Sequence, residues 1–165
     1  MSKKVVVESF ELDHDAVVAP YIRKAGDKEI PGGGRVCKYD LRFTQPNVEP
    51  HLPIETAHSI EHILAFTLRE FSDDIIGVSP MGCLTGIYVI TTGVIDSTEK
   101  MKAIAIPGLK RLLEFESVPG AESSKSCGSY QLHDLEGAKA AARAFLAKES
   151  ELLDVFGHGE PASAV

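Results

Sequence analysis

The sequence predicts an α+β domain, an antiparallel sheet with helices packed on one face. Strand-like stretches and three helical periodicities alternate along the chain. The connections between neighbouring strand-like stretches are tight, which suits antiparallel pairing. The 165 residues, 44% of them hydrophobic, are enough for one core, so a single domain spanning residues 1–165 is expected.

Lys4 to Leu12 is rich in β-branched and aromatic residues and reads as a strand. Ala16 to Ile22, carrying Pro20, reads as a second extended stretch. Gly32-Gly33-Gly34 after Pro31 marks a turn. Arg35 to Phe43 reads as a strand on Val36, Tyr39, Leu41 and Phe43. Pro46, Pro50 and Pro53 punctuate a loop, and Pro53 suits the entry to a helix. From Ile54 to Phe71 the apolar residues Ala57, Ile60, Leu64 and Leu68 recur at three- and four-residue steps. Ile63, Phe66 and Phe71 join that stripe, and Asp73-Asp74 ends it. Ile75 to Val78 and Thr85 to Ile95 read as strands. Asp96-Ser97-Thr98-Glu99 resembles a capping box, so a helix is expected from there towards Phe115, kinked or interrupted at Pro107-Gly108. A third helix is expected from Asp134 through Phe156, and the tail Gly157 to Val165 is expected to fray.

Seventeen Lys and Arg face 24 Asp and Glu, a net charge of −7. That balance argues against a nucleic-acid partner, which calls for a basic face. Three cysteines, an odd count, fit a disulfide scaffold poorly and a reducing compartment well. Only Val5-Val6-Val7 follows the basic start, too short for a signal peptide. No apolar run reaches the ~18 residues of a membrane span. A soluble cytoplasmic protein with no membrane partner is expected.

The chemistry concentrates on the strongest helix. His58 and His62 lie one turn apart on a single face, where both imidazoles can reach one cation. With Glu61 between them, His58-Ser59-Ile60-Glu61-His62 is H-x-x-E-H, the inverted zinc-peptidase pattern. The same residues would also suit the solvated side of a surface helix. Two imidazoles do not close a site. The inverted peptidases add a glutamate from a later helix. Here Cys127 is the sharper candidate, because Gly128 directly after it permits close backbone approach. Cys83, between Gly82 and Gly86 at a turn into a strand, reads on local sequence first as a small core residue; at such a turn it is also accessible to a pocket, where beside a cation it becomes a usable base. Cys37, mid-strand, reads as core.

Several blocks taken together resemble the LuxS family of S-ribosylhomocysteine lyases. They are Val7-Glu8-Ser9-Phe10-Glu11-Leu12-Asp13-His14, Lys38-Tyr39-Asp40-Leu41-Arg42-Phe43 and His58-Ser59-Ile60-Glu61-His62. Ser79-Pro80-Met81-Gly82-Cys83 with Thr85-Gly86, and Cys127-Gly128 with Leu132-His133-Asp134-Leu135, complete the series in family order. The resemblance spans residues 5 to 156 or so.

The resemblance implies a LuxS-like α/β sandwich. It also implies cleavage of S-ribosylhomocysteine to homocysteine and 4,5-dihydroxy-2,3-pentanedione, the autoinducer-2 precursor. That ties the chain to quorum sensing and to the methyl cycle. His58, His62 and Cys127 would ligate one divalent metal ion per subunit, Fe²⁺ in the cell, with Zn²⁺ or Co²⁺ accepted. Glu61 and Cys83 would be the acid/base pair, and Ser9, His14 and Arg42 would line the substrate site. The family is a homodimer with its active sites at the interface. Ser59 and Ile60 stand where threonine and leucine are common, and Gly77 where an aspartate is. The rival readings are a metallopeptidase of the inverted-motif class, which needs a carboxylate third ligand, and a non-catalytic metal-binding or structural module.

Overall fold

The structure, a computed structural model, describes residues 5–157. The elements run α1 (Glu8–Glu11), β1 (Tyr21–Glu29), β2 (Arg35–Arg42), α2 (Ile54–Phe71), β3 (Ile75–Pro80), β4 (Gly86–Thr92), α3 (Thr98–Leu112) and α4 (Leu135–Leu146). The four strands form one sheet in the order β1-β2-β4-β3, every neighbouring pair antiparallel. This is the α+β architecture expected from the sequence.

Side-chain alternation sorts the two faces. Cys37, Tyr39 and Leu41 of β2 and Ile87 and Val89 of β4 are buried in the main core with Ile22 of β1. Ile22 stands opposite Leu41, Leu41 opposite Ile87 and Tyr39 opposite Val89, so one face is continuously apolar. Ala57, Ile60, Ile63, Leu64 and Leu68 of α2, with Met101, Ala105, Leu109 and Leu112 of α3 and Ala138, Ala142 and Phe145 of α4, close over it. The opposite face carries Tyr21, Arg23, Asp40 and Arg42, tied by hydrogen bonds to Asp40.

α2 has the predicted bounds, with Pro53 at its N-cap. Phe66 and Phe71, expected on the core stripe, are 50% and 47% exposed. Phe66 meets Phe115 edge-on at 5.9 Å between centroids instead.

Four expectations need correction. The strand over Lys4–Leu12 is not formed: Glu8–Glu11 is a single helical turn, and Val5, Val6 and Phe10 are exposed. Lys4 lies outside the described residues. Without a neighbouring strand, β propensity alone does not extend the backbone. The second extended stretch begins later and runs further, as Tyr21–Glu29. β1 is a sheet edge whose outer half is charged: Lys24 and Arg35 pair with Asp27, at 2.7 and 3.4 Å. Such charges are how edges are kept from pairing with other chains, and they mask the strand in the sequence.

α3 is continuous through Pro107 and ends at Leu112. The carbonyl that Pro107 leaves without a helical partner belongs to Ala103, an exposed residue open to solvent. Gly108 is a packing device: a Cβ there would come within 2.7 Å of Leu68, so its absence lets α3 lie close on α2. Ser97 caps the helix, its Oγ accepting from Lys100 N–H at 3.2 Å. α4 stops at Leu146 and is followed by turns. Asp134 is its N-cap, accepting from Gly137 N–H at 2.9 Å. Of the tail expected to fray, residues 158–165 lie outside the described residues.

Candidate metal centre

Two segments far apart in sequence build the site. α2 presents His58, Glu61 and His62 on the flank of its buried stripe, each half-buried. The irregular stretch between α3 and α4 brings Cys127 and His133 against them. One donor atom from each of His58, His62, Cys127 and His133 lies within 4.8 Å of the other three. Cys127 Sγ is 3.4 Å from His58 Nε2 and 3.9 Å from His133 Nε2. A tetrahedral ion with N and S ligands spaces such donors by roughly 3.5 Å, given bonds of about 2.0–2.3 Å.

Hydrogen bonds set which nitrogen of each ring faces inward. His58 Nδ1 lies 2.7 Å from the Leu132 carbonyl and His62 Nδ1 2.8 Å from the Pro119 carbonyl. A carbonyl only accepts, so both Nδ1 atoms carry the proton and both Nε2 lone pairs are free for a cation. Gly120, at φ +76°, makes the turn that aims the Pro119 carbonyl at His62. Ser129 N–H donates to Cys127 Sγ at 3.4 Å, supporting the thiolate form that ligation requires. The donor set, imidazoles with one thiolate, suits zinc and ferrous iron.

His133 is the residue that sequence reasoning missed. Burial, followed by the nearby His58 and His62, pushes its pKa down to about 4, so it is neutral at physiological pH. Its place directly before Asp134, the α4 cap, was the available signal. Nothing in that spacing says which ring it will meet.

Glu61 stands at the edge of the cluster, its Oε2 3.8 Å from His62 Nε2. The proposed partner base sits in a second group. Cys83 is exposed in the turn between β3 and β4. Its sulfur is 3.0 Å from Thr85 Oγ1 and 3.9 Å from Arg42 Nη1, and Arg42 Nη1 donates to Thr85 at 2.7 Å. Arg42 is 2% exposed and grips Asp40 through Nε at 3.1 Å and Nη2 at 2.6 Å. Burial works against the Arg42 charge, but its bonds to Asp40 outweigh that and hold its pKa above the ordinary value. A fixed cation therefore faces the Cys83 sulfur. The turn is fastened to the approach to α2, because Leu52 N–H donates to the Leu84 carbonyl at 3.0 Å. Ser9 lies in α1, half-buried, and His14, just after that turn in sequence, bonds the Leu12 carbonyl through Nδ1 at 2.8 Å. No hydrogen bond or ion pair described among these residues joins Ser9 or His14 to the metal-binding cluster.

Comparison with known proteins identifies the family. The family model for S-ribosylhomocysteinase (LuxS) matches residues 7–155. The S-ribosylhomocysteine lyase of Exiguobacterium sibiricum is 49% identical over 155 residues, covering 94% of this chain and 98% of that protein. That of Clostridium perfringens is 48% identical over 152 residues, 92% of this chain and 97% of its own length. That of Listeria monocytogenes is 44% identical over 157 residues, 95% and 99% respectively. Convergent donors from α2 and the Cys127 segment, in a chain matched nearly end to end, place this protein in the LuxS family.

Proposed function

We propose that this chain is an S-ribosylhomocysteine lyase, releasing homocysteine and 4,5-dihydroxy-2,3-pentanedione. The observation that carries the reading is the convergence of His58, His62 and Cys127, with Glu61 on its rim. An inverted-motif peptidase would use a carboxylate where this site offers a thiolate and a further imidazole.

His58, His62 and Cys127 hold the ion, Fe²⁺ in the cell with Zn²⁺ or Co²⁺ as substitutes. When bound, it supplies Lewis acidity towards the carbonyl and hydroxyl oxygens of the sugar. The chain's own residues move the protons. Two aldose–ketose shifts carry the carbonyl along the sugar, each moving a proton between adjacent carbons with no net loss. Glu61 and Cys83 serve as the bases on either side of the carbon chain. When the carbonyl stands next to the carbon bearing the CH₂–S group, removal of that carbon's proton drives β-elimination. The C–S bond breaks, its electron pair leaves with sulfur as homocysteine thiolate, and the enol left behind tautomerises to the dione. Arg42, fixed by Asp40, keeps a positive charge beside Cys83 and the substrate, while Ser9 and His14 contact substrate hydroxyl or carboxylate groups.

The active unit is a homodimer with its sites at the interface. The exposed apolar residues Val5, Val6, Val7 and Phe10 near Ser9 support a covering second copy. Free thiols at Cys83 and Cys127 fit the cytoplasm, since oxidation of either would disable the site. Among the described residues no helix is long and apolar enough to cross a membrane. The dione feeds autoinducer-2 signalling, and homocysteine returns to the methyl cycle. The test is incubation of metal-loaded protein with S-ribosylhomocysteine and titration of released thiol with Ellman's reagent. One thiol per substrate consumed is expected, and absence of thiol release overturns the reading.

A further inference from the structure

His133 shares the metal cluster, but its ring is held differently from the other two. It lies on the His58 ring, centroids 4.0 Å apart and planes 23° apart. His62 meets both rings edge-on, at 4.7 Å with interplanar angles of 86° and 72°. An imidazole binds a cation in its own plane, along the nitrogen lone pair, at about 2.0–2.1 Å. Rings stacked face to face hold their lone pairs side by side. A cation on the His58 lone pair would then lie out of the His133 plane, so the stacking favours His58 over His133 as its ligand.

The hydrogen bonds around Ser59 fix the His133 tautomer. The Ser59 hydroxyl donates its one proton to the Glu55 carbonyl at 2.8 Å and accepts from Asp134 N–H at 2.7 Å. Towards His133 Nδ1, 3.3 Å away, it can only accept. Nδ1 therefore carries the proton and Nε2 presents a lone pair to the cluster, 3.9 Å from Cys127 Sγ. Cys127 has at most one thiol proton, and His58 Nε2 at 3.4 Å is a nearer acceptor for it than His133 Nε2 at 3.9 Å, so the His133 lone pair is left without a donor in the cluster. A half-buried acceptor left without a donor is free to take one from a bound ligand.

We propose that His133 is a further substrate-holding residue: Nε2 accepts a hydrogen bond from a sugar hydroxyl adjacent to the oxygens that the cation engages. The class of ligand that satisfies this is an α-hydroxy carbonyl or vicinal diol, with one oxygen for the cation and a neighbouring O–H for His133. The inference rests on the lyase reading. It assigns to His133 recognition of the hydroxyl and to His58, His62 and Cys127 the grip on the ion.

The decisive variant is His133→Phe, which keeps an aromatic ring on His58 and removes Nε2. His133→Gln is the second variant, smaller and carrying an acceptor oxygen. Circular dichroism checks the folding of both. Ion affinity is measured by competition with a chromophoric zinc chelator, and turnover by thiol release from S-ribosylhomocysteine. Expected for His133→Phe is zinc affinity within about threefold of the parent and a roughly 10- to 100-fold lower kcat/KM, with the larger share in KM. His133→Gln should recover part of that loss. Three results overturn the inference: a zinc affinity at least about tenfold weaker in His133→Phe, which assigns His133 to holding the ion, as a ligand or as an outer partner of one, and not to the substrate; folded, zinc-loaded His133→Phe turning over at the parent's rate; or, if that variant does not fold, His133→Gln losing zinc. A parent that binds zinc and releases no thiol overturns the lyase reading and the inference with it.

Discussion

His58 Nδ1 and the Leu132 carbonyl oxygen lie 2.7 Å apart across 74 residues of sequence. This bond orients a ligand ring of α2 and at the same time docks the segment that carries Cys127 and His133. Metal-site geometry and the docking of that segment are therefore one structural problem.

Cys127→Ala should empty the site. Losing an outer partner of a ligand costs about 10–100-fold in metal affinity, and losing the thiolate itself should exceed that range. Zinc content after gel filtration, measured by mass spectrometry, checks it. Retention of stoichiometric zinc would mean that the thiolate is not a ligand.

Glu61→Gln removes the proposed base but no ligand. Zinc content should match the parent, while turnover falls by about 10²- to 10⁴-fold, the usual worth of a general base. Parallel metal analysis and Ellman assays separate this from a structural effect. Unchanged turnover would remove Glu61 from the chemistry.

Asp40→Ala strands a buried cation. Asp40 is fully buried and holds Arg42 through two bonds, with Arg23 at 3.4 Å and Tyr21 at 3.2 Å also directed at it. Breaking a buried pair from one side costs about 3–5 kcal/mol. Urea denaturation should show a loss of that size, and a loss below about 1 kcal/mol would contradict the pairing.

Alkaline pH should destabilise the fold. Tyr21, Tyr39 and Tyr88 have raised pKa values, mainly through burial, with the Asp40 charge next in importance for Tyr21 and Tyr88 and Cys37 for Tyr39. Unfolded tyrosine ionises near about pH 10. Their contribution is thus complete below about pH 10 and is lost as pH rises above it, where the unfolded chain releases protons that the native one keeps. Absorbance at 295 nm should show most of the tyrosinate appearing only as the protein unfolds. All four tyrosines ionising together near pH 10 in native protein would contradict this.

Gly77→Asp should be tolerated. Nothing lies within 4 Å of where its Cβ would stand, and the β3 register shifts between Ile75 and Gly77. Glycine is also a weak strand residue, so the change in stability should stay within about 0.5 kcal/mol. Thermal unfolding of the variant checks it, and a large fall would mean that the bulge needs glycine.

What the sequence determined by itself is what depends on near neighbours. Helical spacing alone puts His58 and His62 on one face, and the apolar steps of α2 fix its bounds and its buried side. Ser97 and Asp134 mark helix starts because a cap acts within three residues. Alternation in β2 tells its core face from its polar one. Tertiary structure decided the rest. The edge strand β1 is visible only once β2 lies beside it, since its charged outer half has no intrinsic reason to be extended. The Val5–Glu11 segment has strand-like residues but no strand to pair with. Pro107-Gly108 becomes a close helix contact because α2 lies opposite. His133 enters the site, and its proton settles on Nδ1, only because Ser59 and His58 meet it from another element. Contacts separated by 69 to 75 residues are made by packing, and no local pattern encodes which ring nitrogen faces the ion.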